Sequence, residues 1–183
     1  SGNISAEWGG VQWNGTAQGV NVERAIAASV RYGSPVEFDL PFQVEKAITV
    51  SAGASVVLAA QCIVSGSIVV NWTFSPGSQL VSCAYGCFGP NIRPKFDFQV
   101  YTVLPLSWCR GATDDETLTQ FLGMANDLRY TLVVDKALAD VTSTDFVTSC
   151  AVRFDGGWIK FSSVRSISIK SWHTPPARKI FEF

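Results

Sequence analysis

One phrase of the sequence occurs twice, about 100 residues apart, which is the signature of a repeated structural unit. The copies are "EWGGVQWNGTAQGVNVERAIAASVRYGSPVEFDL" and "SWCRGATDDETLTQFLGMANDLRYTLVVDKALADV". In each copy a Trp (Trp8 or Trp108) precedes a glycine-containing loop, a helical pattern that leads to Arg-Tyr, and a short strand that ends in Asp. We therefore expect two tandem modules, residues 1–103 and residues 104–183.

Each copy predicts one short helix. In the second copy, apolar residues recur at helical spacing from Leu118 to Leu128. A T-x-x-E capping box marks the start of this helix, and two Asp in its first turn complement the helix dipole. In the first copy an Asn is the predicted N-cap. The residues to which we assign these capping roles are Thr113, Asp114, Asp115, Glu116 and Asn21.

The remaining sequence predicts many short strands. Segments such as "ASVVLAA", "CIVSGSIVVNWTF" and "AVRFDGGWIKF" are rich in Val, Ile, Phe and Ser, and Gly, Pro, Ser or Asp separates them. Strands far outnumber helices, which argues against a βαβ alternation. The predicted fold class is mainly β, and each module has one short capping helix followed by short strands.

Composition excludes several classes of partner. Hydrophobic residues make up 47% of the chain and charged residues 16%, which is typical of a chain with a packed core. The net charge is -1 and the charges are scattered, so we expect no nucleic-acid partner. No apolar run is long enough to span a bilayer, so we expect no membrane insertion. The chain starts Ser1-Gly2 without a Met, and we expect it to be part of a longer protein.

The residue types that carry chemistry are few. The five Cys are scattered, and only His173 is present to complete a metal site with Cys83 and Cys87, so we predict buried or free thiols, a reducing compartment and no metal. The pair Asp114 and Asp115 suggests a glycosidase, but such enzymes hold two carboxyl groups about 5–9.5 Å apart across a sugar. Neighbours in a capping turn point in different directions, so we predict no catalytic residue and no cofactor.

Tryptophan is frequent, with six residues. Four of them fall at equivalent places of the repeat, Trp8 with Trp108 and Trp72 with Trp172, and we interpret these as structural. Aromatic faces also stack on sugars, and the two Trp outside the repeat pattern are the candidates for glycan binding. These are Trp13 and Trp158.

The second copy resembles the opening segment of phage tailspikes and related pectate-lyase-like right-handed β-helix proteins. In that family a phrase with Trp, Gly-Ala, Asp-Asp-Thr and an apolar helix stripe precedes the coils. Here Trp108, the segment Gly111–Asp115, Thr117, Leu118 and Phe121 match it, and the resemblance covers about Leu106 to Phe161. The first copy matches in outline only and lacks the Asp-Asp-Thr.

The resemblance implies a homotrimeric viral protein on the virion tail, assembled in the host cytoplasm, that contacts other tail proteins and binds or cleaves bacterial surface polysaccharide. A helix in this family caps the open end of the β-helix. Only about 20 residues follow "WIKF" here, whereas the family's catalytic carboxylates lie many coils further on. The leading hypothesis is therefore a structural or attachment segment of a tailspike or tail fibre that connects the virion anchor to a receptor-binding or depolymerase body. The alternatives are a polysaccharide lyase or hydrolase with a site between subunits, and a carbohydrate-binding module.

Overall fold

The structure is a computed structural model that describes residues 2–12, 18–97, 103–125, 127–163, 165–173 and 180–183. In it, strands from successive turns of the chain pair with one another. All pairings between the described strands are parallel. The helices are α1 (Gly19–Tyr32) and α2 (Asp114–Gly123). The strands are β1 (Ile4–Ser5), β2 (Val36–Phe38), β3 (Phe42–Val44), β4 (Ile48–Val50), β5 (Ser55–Leu58), β6 (Val64–Gly66), β7 (Val70–Phe74), β8 (Gln79–Cys83), β9 (Ile92–Phe96), β10 (Val103–Pro105), β11 (Thr131–Val134), β12 (Ala137–Val141), β13 (Phe146–Phe154), β14 (Trp158–Phe161), β15 (Ile167–His173) and β16 (Phe181–Glu182).

The strands stack into a β-solenoid. Strands β1 to β9 form three faces, in the orders β1-β2-β5-β8, β3-β6 and β4-β7-β9. The strands from β10 onward form two, β10-β11-β13-β15 and β12-β14-β16. Each turn of the chain contributes one strand to a face, which is how solenoid repeats contact only their neighbours. The predicted mainly β class is confirmed, with a β-solenoid arrangement; the division into tandem modules and the trimer stay predictions.

The same order of elements occurs twice. β1, a 3-10 turn (Ala6–Gly9), α1 and β2 follow one another in the first half. β10, a 3-10 turn (Leu106–Trp108), α2 and β11 do so in the second. In both halves the strand before the helix pairs in parallel with the strand after it. The repeated phrase therefore coincides with a repeated local structure.

One apolar core runs through the stack. Alternation along the strands turns apolar side chains inward, as in β9, where Ile92, Pro94 and Phe96 are buried. Aromatic rings continue the core from coil to coil: Phe96 stacks on Phe74 with centroids 4.6 Å apart and contacts Trp108 at 6.0 Å. Isolated parallel bridges from Phe88 to Cys109 and from Phe96 to Ala125 also cross the predicted boundary at residue 103. The core cluster is continuous on both sides of it.

The two helices occupy different places in this stack. α1 packs on β2, β4 and β5 and leaves its opposite face exposed. α2 packs on β9 of the preceding coil and on β12 and β13 of the following ones. Helix α2 is therefore a layer inside the solenoid, whereas α1 covers the end of the described coils. No helix among the described residues has the length and apolarity that a membrane crossing requires.

The prediction that Asn21 is the N-cap of the first helix is wrong. α1 begins at Gly19, and Gln18 occupies the preceding position without a capping hydrogen bond from its side chain. The N–H of Gly19 instead donates to Oε2 of Glu45, 3.0 Å away on the first coil. Asn21 lies in the first turn, where its amide nitrogen donates to the Gly10 carbonyl at 2.8 Å. The free N–H of Gly19 at the helix start is therefore bonded by Glu45, a residue distant in sequence, and not by the side chain of Asn21 as the local sequence predicted.

Candidate functional site

The paired aspartates of α2 are tied to the backbone of the following coil. Both oxygens of Asp115 accept hydrogen bonds: Oδ2 from the N–H and hydroxyl of Thr142 (3.0 and 2.6 Å), and Oδ1 from the N–H groups of Ser143 (2.8 Å) and Thr144 (2.6 Å). Partial burial acts to raise its pKa, but the hydrogen bonds from Thr142, Ser143 and Thr144 outweigh burial and hold the pKa of Asp115 well below its ordinary value. Asp115 is a fixed anion.

Asp114 has the same kind of partner. Its Oδ2 accepts from the N–H groups of Ala139 (2.6 Å) and Asp140 (2.9 Å), both in β12. β12 is the edge strand of its face, and among the described residues no strand pairs with it on this side. Unpaired strand edges are costly and invite wrong pairing. Asp114 therefore supplies the acceptor that a neighbouring strand would give to these two N–H groups, and Asp115 binds the segment that follows β12.

Glu116 makes the corresponding contact with the preceding coil. Oε1 accepts from the N–H of Asn91 at 2.6 Å and from Arg93 at 3.1 Å, and Oε2 accepts from the N–H of Ala112 at 2.7 Å. Burial acts to raise its pKa, but these hydrogen bonds and the Arg93 charge lower the pKa of Glu116 overall. The Thr113 hydroxyl accepts from the N–H of Glu116 at 3.1 Å, as an N-cap does. The capping motif therefore also binds α2 to coils on both sides.

The hydrogen bonds that these carboxylates accept from neighbouring coils limit the chemistry that they can perform. A general acid must be protonated at working pH, and a nucleophile needs a free lone pair directed at substrate. Asp115 and Glu116 are held ionised, and their oxygens face N–H groups of this chain. The arrangement is that of a structural joint.

Of the two glycan-binding candidates from the sequence, Trp158 is among the residues that the structure describes and Trp13 is not. Trp158 lies in β14 and is half-buried, on the outer side of a strand whose Ile159 and Phe161 point into the core. Ala137 of β12 lies opposite it in register. Trp13 lies outside the described residues. A glycan-binding role for either residue stays a prediction.

The Trp residues of the repeat do not share one environment. Trp72 is fully buried in the core, while Trp172 is 54% exposed at the far end of the solenoid. Trp108 packs on the core beside Phe96 of the preceding coil, whereas its counterpart Trp8 is 80% exposed. The difference follows from the stack, because no described coil precedes Trp8. Sequence reasoning assigned Trp8 a structural role from its repeat position and so missed its exposure.

Trp8 belongs to a surface groove, which we call the end groove. It comprises Ile4, Trp8, Arg24, Arg31, Tyr32 and Ser34. Two adjoining cavities of about 350 and 420 Å³ share its residues Ile4, Trp8 and Tyr32. The Arg31 guanidinium lies 5.4 Å from the centre of the Tyr32 ring, within cation–π range. Tyr32 is 62% exposed, so two aromatic faces and two cations meet solvent together.

The remaining titratable groups do not converge on a second site within the described residues. Asp135 accepts from the N–H (2.8 Å) and hydroxyl (2.6 Å) of Ser107, and His173 is exposed with its Nδ1 3.0 Å from the carbonyl of Trp172. No group of three or more His, Cys, Asp or Glu side chains among the described residues is placed to hold a metal ion.

The cysteines require one correction. Cys83 and Cys87, predicted as thiols, are joined in a disulfide with their Cα atoms 6.4 Å apart. The turn between them, with Gly86 at a φ of 70°, folds the two ends together, which spacing alone did not reveal. Burial raises the pKa of Cys62 to about 12 and raises the pKa of Cys109 as well, so neither buried thiol is a reactive thiolate.

Comparison with known proteins returns no relative. No protein-family model matches the chain, no curated protein matches it, and no solved structure matches it. Of the tailspike-type resemblance, the β-solenoid arrangement is the part that the chain shows.

Proposed function

We propose that this chain is a structural, attachment-related segment of a virion receptor-binding protein of the phage tailspike or tail-fibre type. In this proposal it is a homotrimer on the virion tail, assembled in the host cytoplasm and mounted on other tail proteins. It connects the virion anchor to a body that binds or degrades bacterial surface polysaccharide. The segment itself is not catalytic.

One observation carries the proposal: the acidic helix start that resembles the tailspike opening phrase is used as a joint between coils. Asp114 and Asp115 accept from the backbone of the next coil, and Glu116 accepts from the backbone of the previous one. A mount must transmit position and force without bending, and carboxylates that join consecutive coils supply that stiffness. An enzyme would instead need these oxygens open to a substrate.

Oligomeric state tests the proposal directly. Size-exclusion chromatography with light scattering is expected to give a trimer at micromolar concentration. A clean monomer under those conditions would contradict it.

Incubation with a panel of capsular and O-antigen polysaccharides tests the non-catalytic part. We expect no shortening of the polysaccharide chains. Cleavage that disappears in an Asp114→Asn, Asp115→Asn double variant that is still folded by circular dichroism would establish the depolymerase alternative.

A further inference from the structure

We propose that the Cys83–Cys87 disulfide is a reversible crosslink, formed in an oxidising medium and opened by thiols, that strengthens the junction between the two halves of the solenoid. This goes beyond the proposed function, which requires a rigid mount but no response to redox conditions. It concerns residues 83–87, in the middle of the chain, which we call the cystine loop.

The cystine loop is bonded to the coils on both sides of it. Toward the preceding coil, the carbonyl of Cys87 accepts from the N–H of Val64 at 2.8 Å. Toward the following coil, the N–H of Gly86 donates to the carbonyl of Ser107 at 2.7 Å. The conformation of this loop therefore affects backbone contacts with both halves of the chain.

The side chain at the tip of the loop adds a contact with the second half. The ring of Tyr85 lies 5.6 Å from Nζ of Lys136, within cation–π range, although Tyr85 is 70% exposed. Nζ of Lys136 also donates to the carbonyl of Cys109 at 2.6 Å. A closed loop has fewer conformations than an open one, so the crosslink favours this position of Tyr85, and opening the crosslink weakens the contact.

The two sulfur atoms differ in access, which determines how the crosslink opens. Cys83 is half-buried at the end of β8, whereas Cys87 is fully buried. An external thiolate therefore attacks Sγ of Cys83 and displaces Cys87, which takes up the proton that the attacking thiol gave up. A second external thiol attacks the mixed disulfide and releases Cys83 as a thiol. In sum, two external thiols become one external disulfide, and the protein is reduced by two electrons.

The surroundings also suit the opened form. Sγ of Cys87 lies 3.8 Å from the carbonyl oxygen of Trp108, and Sγ of Cys83 lies 3.7 Å from that of Ala84. A disulfide has no proton to donate to these oxygens, whereas two thiols do. The reduced pair can therefore form two weak hydrogen bonds on the same backbone, and both redox forms are compatible with the fold.

The other three cysteines do not compete in this exchange. Cys62, Cys109 and Cys150 are buried and free. Burial raises the pKa of all three thiols, that of Cys62 to about 12, so little thiolate forms on them. Thiol–disulfide exchange is thereby confined to the cystine loop.

Thiol counting tests whether the crosslink is reversible. The protein is labelled with N-ethylmaleimide in denaturant, and the mass of the intact chain gives the number of labels. Air-oxidised protein should carry three labels, and protein first treated with dithiothreitol without denaturant should carry five. Oxidised glutathione should return the count to three.

Hydrogen exchange tests the effect on the junction. The amides of Gly86 and Phe88, which donate to the following coil, should exchange about tenfold or more faster in the reduced protein. Cys83→Ser, at a half-buried position, should show the fast rate without reductant and no response to dithiothreitol, and Cys87→Ala should do the same. Cys150→Ala, which removes a buried free thiol, should keep the response of the wild type. Circular dichroism checks that each variant is folded.

Three outcomes would each overturn the inference. These are five labels on the air-oxidised protein, a disulfide that excess dithiothreitol does not open without denaturant, and unchanged exchange of Gly86 after the disulfide has opened. None of these measurements reports on oligomeric state or on polysaccharide cleavage, so the proposed function stands or fails separately.

Discussion

At the scale of single residues, Asp115 shows how one side chain can satisfy several backbone groups. Its two oxygens accept four hydrogen bonds from three consecutive residues, Thr142, Ser143 and Thr144. An Asp at this position of a helix is expected from the helix dipole alone, and the sequence predicts a structural role on that ground. The hydrogen-bond partners of Asp115 were not predictable, because they lie after β12, more than 25 residues further along the chain.

We predict that Asp115→Asn destabilises the fold by about 1–2 kcal/mol at pH 7. The amide presents an NH₂ group where the carboxylate presents an acceptor, so at least one N–H of the following coil loses its partner. Urea unfolding followed by circular dichroism measures the loss. Asp155→Asn is the matched control, because the Asp155 side chain is 65% exposed and its nearest cation, on Arg153, is 3.8 Å away. A loss in the control equal to that in Asp115→Asn would contradict the prediction.

The effect should depend on pH in a definite direction. The pKa of Asp115 is lower in the folded chain than its ordinary value of about 3.9, so its ionised form stabilises the fold. That stabilisation is complete above about pH 5 and decreases as the pH falls through the folded pKa. The difference in free energy of unfolding between wild type and Asp115→Asn should therefore narrow between pH 5 and pH 2. A difference that stays constant over this range would show that the charge of Asp115 is not involved.

At the scale of elements, the sequence predicts the helices and many strands better than it predicts their stacking. The Thr113 cap places the start of α2 correctly, because the signal is local, but the stripe predicted to Leu128 is too long: α2 ends at Gly123, and Leu128 is 60% exposed. Asp155-Gly156-Gly157 predicts a turn between two strands, and a turn with Gly156 at a φ of 88° does join β13 to β14. β13 and β14 pair with strands of other coils instead of with each other. The same turn residues suit a β-hairpin and a turn between two faces of a solenoid, so only the long-range strand pairing distinguishes the two structures.

α2 itself replaces a strand in the stack, and Gln120 is the side chain that makes this possible on its inner side. Gln120 is fully buried, and its Nε2 donates to the carbonyls of Gly89 (2.7 Å) and Ile92 (2.8 Å) on the preceding coil. These bonds add to those that the two carbonyls already accept, from the N–H of Ile92 at 3.3 Å for Gly89 and from Arg93 at 3.2 Å for Ile92. The buried amide of Gln120 therefore ties α2 to the preceding coil by two hydrogen bonds, a contact that periodicity did not predict.

We predict that Gln120→Glu is more destabilising than Gln120→Met at pH 7. Met removes two hydrogen bonds, at a cost of about 1–3 kcal/mol, whereas a carboxylate adds a buried charge directed at two carbonyl oxygens. Burial raises the pKa of such a carboxyl group, so Gln120→Glu should regain stability as the pH falls toward 4 and the group protonates. Thermal unfolding at pH 7 and pH 4 measures both effects. Gln79→Glu, on an exposed position of β8, should change little, and equal losses at both glutamines would contradict the prediction.

At the scale of the whole molecule, the boundary predicted between residues 103 and 104 falls inside a continuous core. The repeat indicates two units, and the element order repeats accordingly. The sequence could not show how the two units pack on each other, because this packing, which we call the seam, depends on which aromatic residues of one coil contact those of the next. Phe96 packs on Phe74 below and on Trp108 above, and its N–H donates to the carbonyl of Met124 at 2.7 Å.

A solenoid unfolds as one unit only when the interfaces between its repeats are as strong as the repeats themselves. The seam here is apolar and aromatic, so we predict a single cooperative transition for both halves. Phe96→Leu, which reduces packing on both sides, should lower the free energy of unfolding by about 1–2 kcal/mol. Native-state hydrogen exchange should show the same loss of protection in β5 and in β11, on opposite sides of the seam. Phe183→Ala is the control, because Phe183 is 77% exposed. Two separate transitions, or a loss of protection confined to residues 1–103, would show instead that the two predicted modules are independent domains.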